Sequence, residues 1–161
     1  MYLLLMALFV GCSSGAVNEI DNTANIKTNE ITQVLYEYAE DVNMKNYSQA
    51  YEKLGADLKN SYSGGDDKAF ANIEHMEIKK LVDKTGQQGE RGQWIGNPRV
   101  FDSMEEYYVF YAEIEYKINN LITSYLKDGI NYHKVVIAKE KADSDWKICE
   151  MSLVSSRFIQ E

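Results

Sequence analysis

Proline occurs once, and cysteine and histidine twice each, in 161 residues. A single proline excludes collagen-like and proline-rich sequence. Two cysteines make at most one bridge, so the chain is not a disulfide scaffold. Cations are scarce as well: 17 Lys and Arg stand against 25 Asp and Glu, a net charge of −8. That balance argues against a nucleic-acid partner, because phosphate contacts need clustered cations. Charged residues are 26% and apolar residues 45% of the chain, the proportions of a folded domain and not of a disordered segment. At this length one ordinary domain with a short extension is expected.

No Lys or Arg precedes Lys27. The run Tyr2-Leu3-Leu4-Leu5-Met6-Ala7-Leu8-Phe9-Val10 is apolar without interruption. It is far short of the about 20 residues of a spanning helix. It does match the apolar core of a signal peptide, about 7–15 residues long. The basic residues that open such peptides are then expected upstream of Met1. Leu8-Phe9-Val10-Gly11-Cys12 resembles the lipobox of bacterial lipoproteins. The resemblance implies cleavage after Gly11, a diacylglycerol thioether on Cys12, and a location on the extracytoplasmic face of the cell membrane. An acyl anchor suits a body at −8, which anionic lipid repels. With Cys12 acylated, Cys149 has no bridging partner; between Ile148 and Met151 it reads as a small buried hydrophobe and not a nucleophile.

The expected organisation is a signal peptide over 1–11, the lipidated Cys12 with a small, polar spacer to residue 28, one domain over 29–155, and a tail over 156–161. Ile31, Val34, Leu35, Tyr38 and Val42 follow helical spacing, with Thr28 or Asn29 as the cap. Asn46 marks a break. Tyr47, Ala50, Tyr51 and Leu54 then predict a second helix, closed by Gly55. Ser63 to Asp67 reads as a turn and Asp67 to Asn72 as a brief helical segment. Met76, Ile78, Lys80 and Val82 alternate with Glu77, Lys79, Leu81 and Asp83 as in a strand. Gly86 to Pro98 reads as a loop. Tyr107 to Ile118 is the clearest strand. Its apolar face is Tyr108, Phe110, Ala112, Ile114, Tyr116 and Ile118, with a more polar face behind. Asp128-Gly129 turns, and His133 to Ala138 and Trp146 to Val154 are two further strands joined through Ala142 to Asp145.

Helices followed by strands joined through turns mean α+β. Asn46-Tyr47-Ser48-Gln49-Ala50-Tyr51 through Leu54 after the opening helix, with the closing pair Val135 to Lys139 and Asp145 to Ile148, resembles the nuclear transport factor two-like (cystatin-like) superfamily. More narrowly, the lipobox with this domain is similar to small lipoproteins of Gram-positive bacteria whose domain has no assigned function. The resemblance implies N-terminal helices packed on a strongly curved antiparallel sheet, a cone-shaped roll with a cavity.

Enzymes of that superfamily use Asp, His or Tyr inside the cone, which makes His75, His133, Tyr108, Tyr116 and Glu113 the residues to follow. No Asp–His pair stands at a telling spacing, so no catalytic residue is assigned. Tyr108, Phe110, Tyr116 and His133 are the expected cavity lining, and Tyr107 and Tyr111 a candidate contact patch on the opposite face. Metal-ligand spacing, a calcium loop and a phosphate loop are all missing, so no cofactor is expected. The expected role is non-catalytic: a small ligand held in the cone, or an envelope protein bound through the sheet. The competing class is a small isomerase, dehydratase or hydrolase using the same cone.

Overall fold

The computed structural model describes residues 22–62, 70, 72–86, 103–119 and 126–158. The proposed signal peptide, Cys12 and the spacer up to residue 21 lie outside them. So do the Ser63 to Asp67 turn, most of the Asp67 to Asn72 segment and most of the Gly86 to Pro98 loop.

Helix α1 spans Asn22–Asn43, followed by α2, Tyr47–Glu52, and α3, Ala56–Ser61. Four strands follow: β1, Ile73–Asp83; β2, Glu106–Ile118; β3, Gly129–Lys139; and β4, Lys147–Leu153. They form one antiparallel sheet in the order β1-β2-β3-β4, and a 3-10 turn at Ser156–Phe158 comes after it. The α+β class follows directly from this order.

Helix α1 starts six residues before the expected cap at Thr28. Residues 22–28 contain neither Gly nor Pro, so nothing in the backbone stops the helix there, and this part of the expected spacer is helical. The apolar spacing holds. Ile31, Leu35 and Val42 are wholly buried, with Val34, Tyr38 and Ala39 beside them.

The helix ends in a left-handed turn. Lys45 has φ 65°, Asn46 N–H donates to Asp41 O at 2.8 Å, and Lys45 N–H donates to Val42 O at 3.1 Å. This is a Schellman closure made without glycine. A left-handed lysine costs roughly 1–2 kcal/mol. Its ammonium offsets this by donating to Ile73 O at 2.8 Å and Glu74 O at 3.0 Å at the start of β1. Two residues earlier, Asn43 acts as a strand of one residue. Its Nδ2 donates to Met76 O at 2.9 Å and its Oδ1 accepts from Met76 N–H at 2.8 Å.

Gly55 does not close α2. Lys53 is the C-cap, and Gly55 has φ −71° as the residue before α3. Its smallness is needed for another reason: a Cβ there would lie 2.8 Å from Cys149 Sγ. The close approach lets Lys53–Gly55 run along β4. Ile148 N–H donates to Lys53 O, and Gly55 N–H donates to Ile148 O, both at 2.9 Å.

Strand β1 departs from strict alternation. The register slips between Ile78 and Lys80, so Leu81 pairs with Ala112 and joins Ile78 against the core. The bulge keeps the Lys80 ammonium off the inner face, where charge is costly. Strand β2 keeps its expected inner face, but its other face is not uniformly polar. Val109 and Tyr111 are buried there, as is Val136 opposite Val109. The polar part is the far end, where Lys79 bridges Glu77 at 2.7 Å and Glu115 at 2.9 Å. Glu77 and Glu115 are cross-strand neighbours, so Lys79 relieves a like-charge pair.

Replacing Asn43 with Ala leaves the Met76 N–H and C=O without their side-chain partner. We expect a loss of about 2 kcal/mol in urea unfolding, set by the cost of unsatisfied backbone groups. The Asp variant, which keeps the acceptor and loses the donor, should fall between the two.

Candidate functional site

The four expected lining residues share the inner face but do not form one site. Successive inner residues of a strand lie about 6.6 Å apart. Tyr108 and Phe110 are therefore neighbours, and Tyr116 lies roughly 20 Å beyond Phe110. Tyr108 and Phe110 stack with ring centroids 6.4 Å apart, and Trp146 meets Tyr108 edge-on at 5.7 Å. The Tyr108 hydroxyl donates to Glu106 Oε1 at 3.0 Å. Phe110 is buried and Tyr108 half-buried. This end of the sheet is packing between β2 and the β3–β4 hairpin.

Tyr116 and His133 do come together, with ring centroids 5.7 Å apart. His133 pairs with Ala112 on β2 and with Leu153 on β4, which sets it in the middle of the sheet under the helical layer. It is 2% exposed, and among the described residues neither ring nitrogen meets a hydrogen-bond partner. Burial alone lowers its pKa to about 4, so the ring is neutral across the physiological range. Tyr116 belongs to a wider aromatic group. Burial holds its phenol protonated, and Tyr62 adds to the effect; Tyr38 is raised by burial and by its neighbours Tyr62 and Tyr116. Phe70 binds the group together, with Tyr38, Tyr47 and Tyr62 all 5.8–5.9 Å from its ring centre.

Tyr38 was legible as a core position of α1. Phe70 and Tyr62 were not, because their stretch shows no apolar period that would mark them as core. The remaining candidates scatter. His75 is exposed on β1 opposite Lys117. Glu113 follows Ala112 on β2 and so faces away from His133. Tyr111 is buried, 2% exposed, and is not an open contact patch; Tyr107 is half-buried. Burial and the nearby Glu150 raise the Tyr111 phenol. Glu150 pairs there with the buried Lys134 and accepts from Ser152 Oγ at 2.9 Å.

Cys149 is buried, and burial, with Glu140 and Asp57 adding to it, pushes its thiol up to about 11. A thiol held protonated is a poor nucleophile. It lies at a shallow groove of about 330 Å³ between Gly55–Asp57 and Glu140–Lys141. Among the described residues no group of three or more His, Cys, Asp or Glu is arranged to hold a metal ion.

Two outcomes test this description. Gly55→Ala should destabilise by about 1–3 kcal/mol through the clash with Cys149 Sγ. Adding Cys149→Ala removes that atom, so a double-mutant cycle should return part of the loss as favourable coupling. The second concerns pH. The unfolded imidazole takes up a proton near the ordinary histidine value of 6.5, and the folded one only near 4. Stability is then full above about pH 7, falls between pH 6.5 and 4, and is flat below; the loss amounts to about 3 kcal/mol. His133→Phe should remove this share of the acid sensitivity, read as the difference between the two proteins' urea midpoints across pH.

No protein-family model matches the chain, and no curated protein or solved structure does either.

Proposed function

We propose that this protein is a lipoprotein, tethered to the extracytoplasmic face of the cell membrane through acyl chains on Cys12, that displays a non-catalytic binding domain. The observation that carries this reading is the unbroken apolar run Tyr2–Val10 ending in Gly11-Cys12-Ser13-Ser14. Among the described residues no helix is long and apolar enough to cross a membrane. A net charge of −8 offers no attraction to anionic lipid. Two acyl chains, at about 0.8 kcal/mol per buried CH₂, supply stable attachment. Nine residues separate Cys12 from α1. At no more than about 3.6 Å per residue, the domain then begins within roughly 36 Å of the lipid surface.

In this proposal the domain is a cystatin-like roll, the sheet curving over α1. Its role is to hold a small ligand or an envelope protein. The support for binding over catalysis lies in the surroundings of His133. An imidazole acting as base or acid needs a group to orient it and a route for its proton. Here its neighbours are Tyr116, Ala112 and Leu153, and both nitrogens are without a partner. Glu113, the one carboxylate among the candidates, faces the other side of the sheet.

The test is Cys12→Ser in the full-length chain expressed in a native host, with membrane fractionation and intact-mass measurement. The wild type should fractionate with membranes and carry a diacylglycerol mass on residue 12. The Ser variant should lose both. A Ser variant that stays membrane-bound, or a wild type recovered without the lipid mass, overturns the proposal.

A further inference from the structure

His133 is a buried base with nothing to bond, and its position in the sheet is asymmetric. On one side β2 pairs with β3 from Glu106↔Lys139 to Tyr116↔Gly129 without a slip, and Ala112↔His133 lies well inside that ladder. On the other side the β3–β4 register runs only from Ala138↔Lys147 to His133↔Leu153, with a slip between Val136 and Ile137. The far end of β4 is braced, since Ile148 exchanges hydrogen bonds with Lys53 and Gly55. At the near end the described residues show no such pair of backbone bonds to another segment. His133↔Leu153 is the last pair, followed by one bond from Val154 N–H to Tyr132 O at 2.9 Å. Leu153 is 47% exposed. Water is therefore one residue away from the imidazole, across the weakest part of the ladder.

We propose that His133 is an acid-operated latch: taking up a proton, it releases the Met151–Val154 end of β4 from β3 while the rest of the sheet stays closed. The physical reason is that, among the described residues, no group is placed to stabilise an imidazolium there. From β2 the ring is faced by Tyr116, which burial keeps protonated. From β4 it is faced by Leu153. The phenols of Tyr38 on α1 and Tyr62 after α3 couple to Tyr116 and are likewise raised, so they supply no negative charge. The nearby charges on these strands, Glu113, Lys134 and Glu150, belong to the opposite face, where Lys134 and Glu150 neutralise each other. A buried unpaired cation is costly, and the shortest way to hydrate it is to lift Leu153. Local opening of this kind draws on the least protected end of a structure and leaves the braced strands intact. The latch does not depend on where the protein resides.

The experiment is hydrogen–deuterium exchange by mass spectrometry at pH 7.5 and 4.5, corrected for intrinsic exchange. It compares peptides covering β4 with peptides covering β1, in the wild type and in His133→Phe. A base shifted from 6.5 to about 4 favours the open form by roughly two orders of magnitude at the lower pH. The wild type should lose protection over Met151–Val154 by about that factor and keep it over β1. His133→Phe should show no such selective loss. His133→Gln, neutral at every pH, serves the same purpose if the Phe variant fails to fold. Equal loss in β1 and β4, no loss in either, or the same selective loss in the His133 variants overturns the proposal.

Discussion

Among the described residues a single four-stranded sheet leaves one face and two edges to be protected, and the segment from α1 to α3 covers the face and part of each edge. The face is covered by the Ile31, Leu35, Tyr38 and Val42 stripe of α1. The β1 edge is met where α1 ends, by the Asn43 amide and the Lys45 ammonium. The β4 edge is met by Lys53–Gly55. These are paired backbone or backbone-like contacts, so the edges offer no open ladder at Ile73–Met76 on β1 and at Ile148 on β4. The rest of the sheet depends on this geometry. If the helix ended a turn earlier, Asn43 and Lys45 would not reach β1.

Strong periodicity made the main elements legible. The 3, 1, 3, 4 spacing of α1 and the alternation of β2 both reflect a single buried face, and burial decides them. Features that depend on two distant pieces of chain were not legible. Gly55 looks like a helix stop in sequence because glycine commonly ends helices. Only the approach of Cys149, 94 residues later, shows that it is small to let two backbones meet. The slip at Ile78–Lys80 has no local marker either; it follows from the choice between burying Lys80 and burying Leu81. Helix α3 was missed because in Ala56–Ser61 a single apolar side chain, Leu58, packs on the core.

The candidate site was legible in part, and for a mechanical reason. Counting by twos along β2 correctly assigns Tyr108, Phe110 and Tyr116 to one face, but cannot say that they lie too far apart to act together. The rings of His133 and Tyr116 meet although the register sets His133 opposite Ala112 and Tyr116 opposite Gly129, and chain segments with no period bring Tyr62 and Phe70 to the same place. The β2 residues Val109 and Tyr111 show the converse. They sit on the face whose sequence looks polar, and they are buried, because Glu113, Glu115 and Lys117 dominate the pattern while occupying only one end of the strand.

His133 stands apart from the other buried polar side chains. Asn131, two residues earlier on the same face, bonds Lys127 and Gly129 and so fixes the turn into β3. Lys134, on the opposite face, pairs with Glu150. The first ties β3 to its own turn, and the second ties β3 to β4. His133 ties nothing, and Phe or Leu would fill its volume with no unsatisfied nitrogen. An imidazole with two idle nitrogens forfeits about 1–3 kcal/mol for each over such a side chain. Packing therefore gives no reason for a histidine at this position. A group that is neutral when folded and charged when exposed in mild acid does give one: it makes the weak end of the β3–β4 ladder conditional on pH.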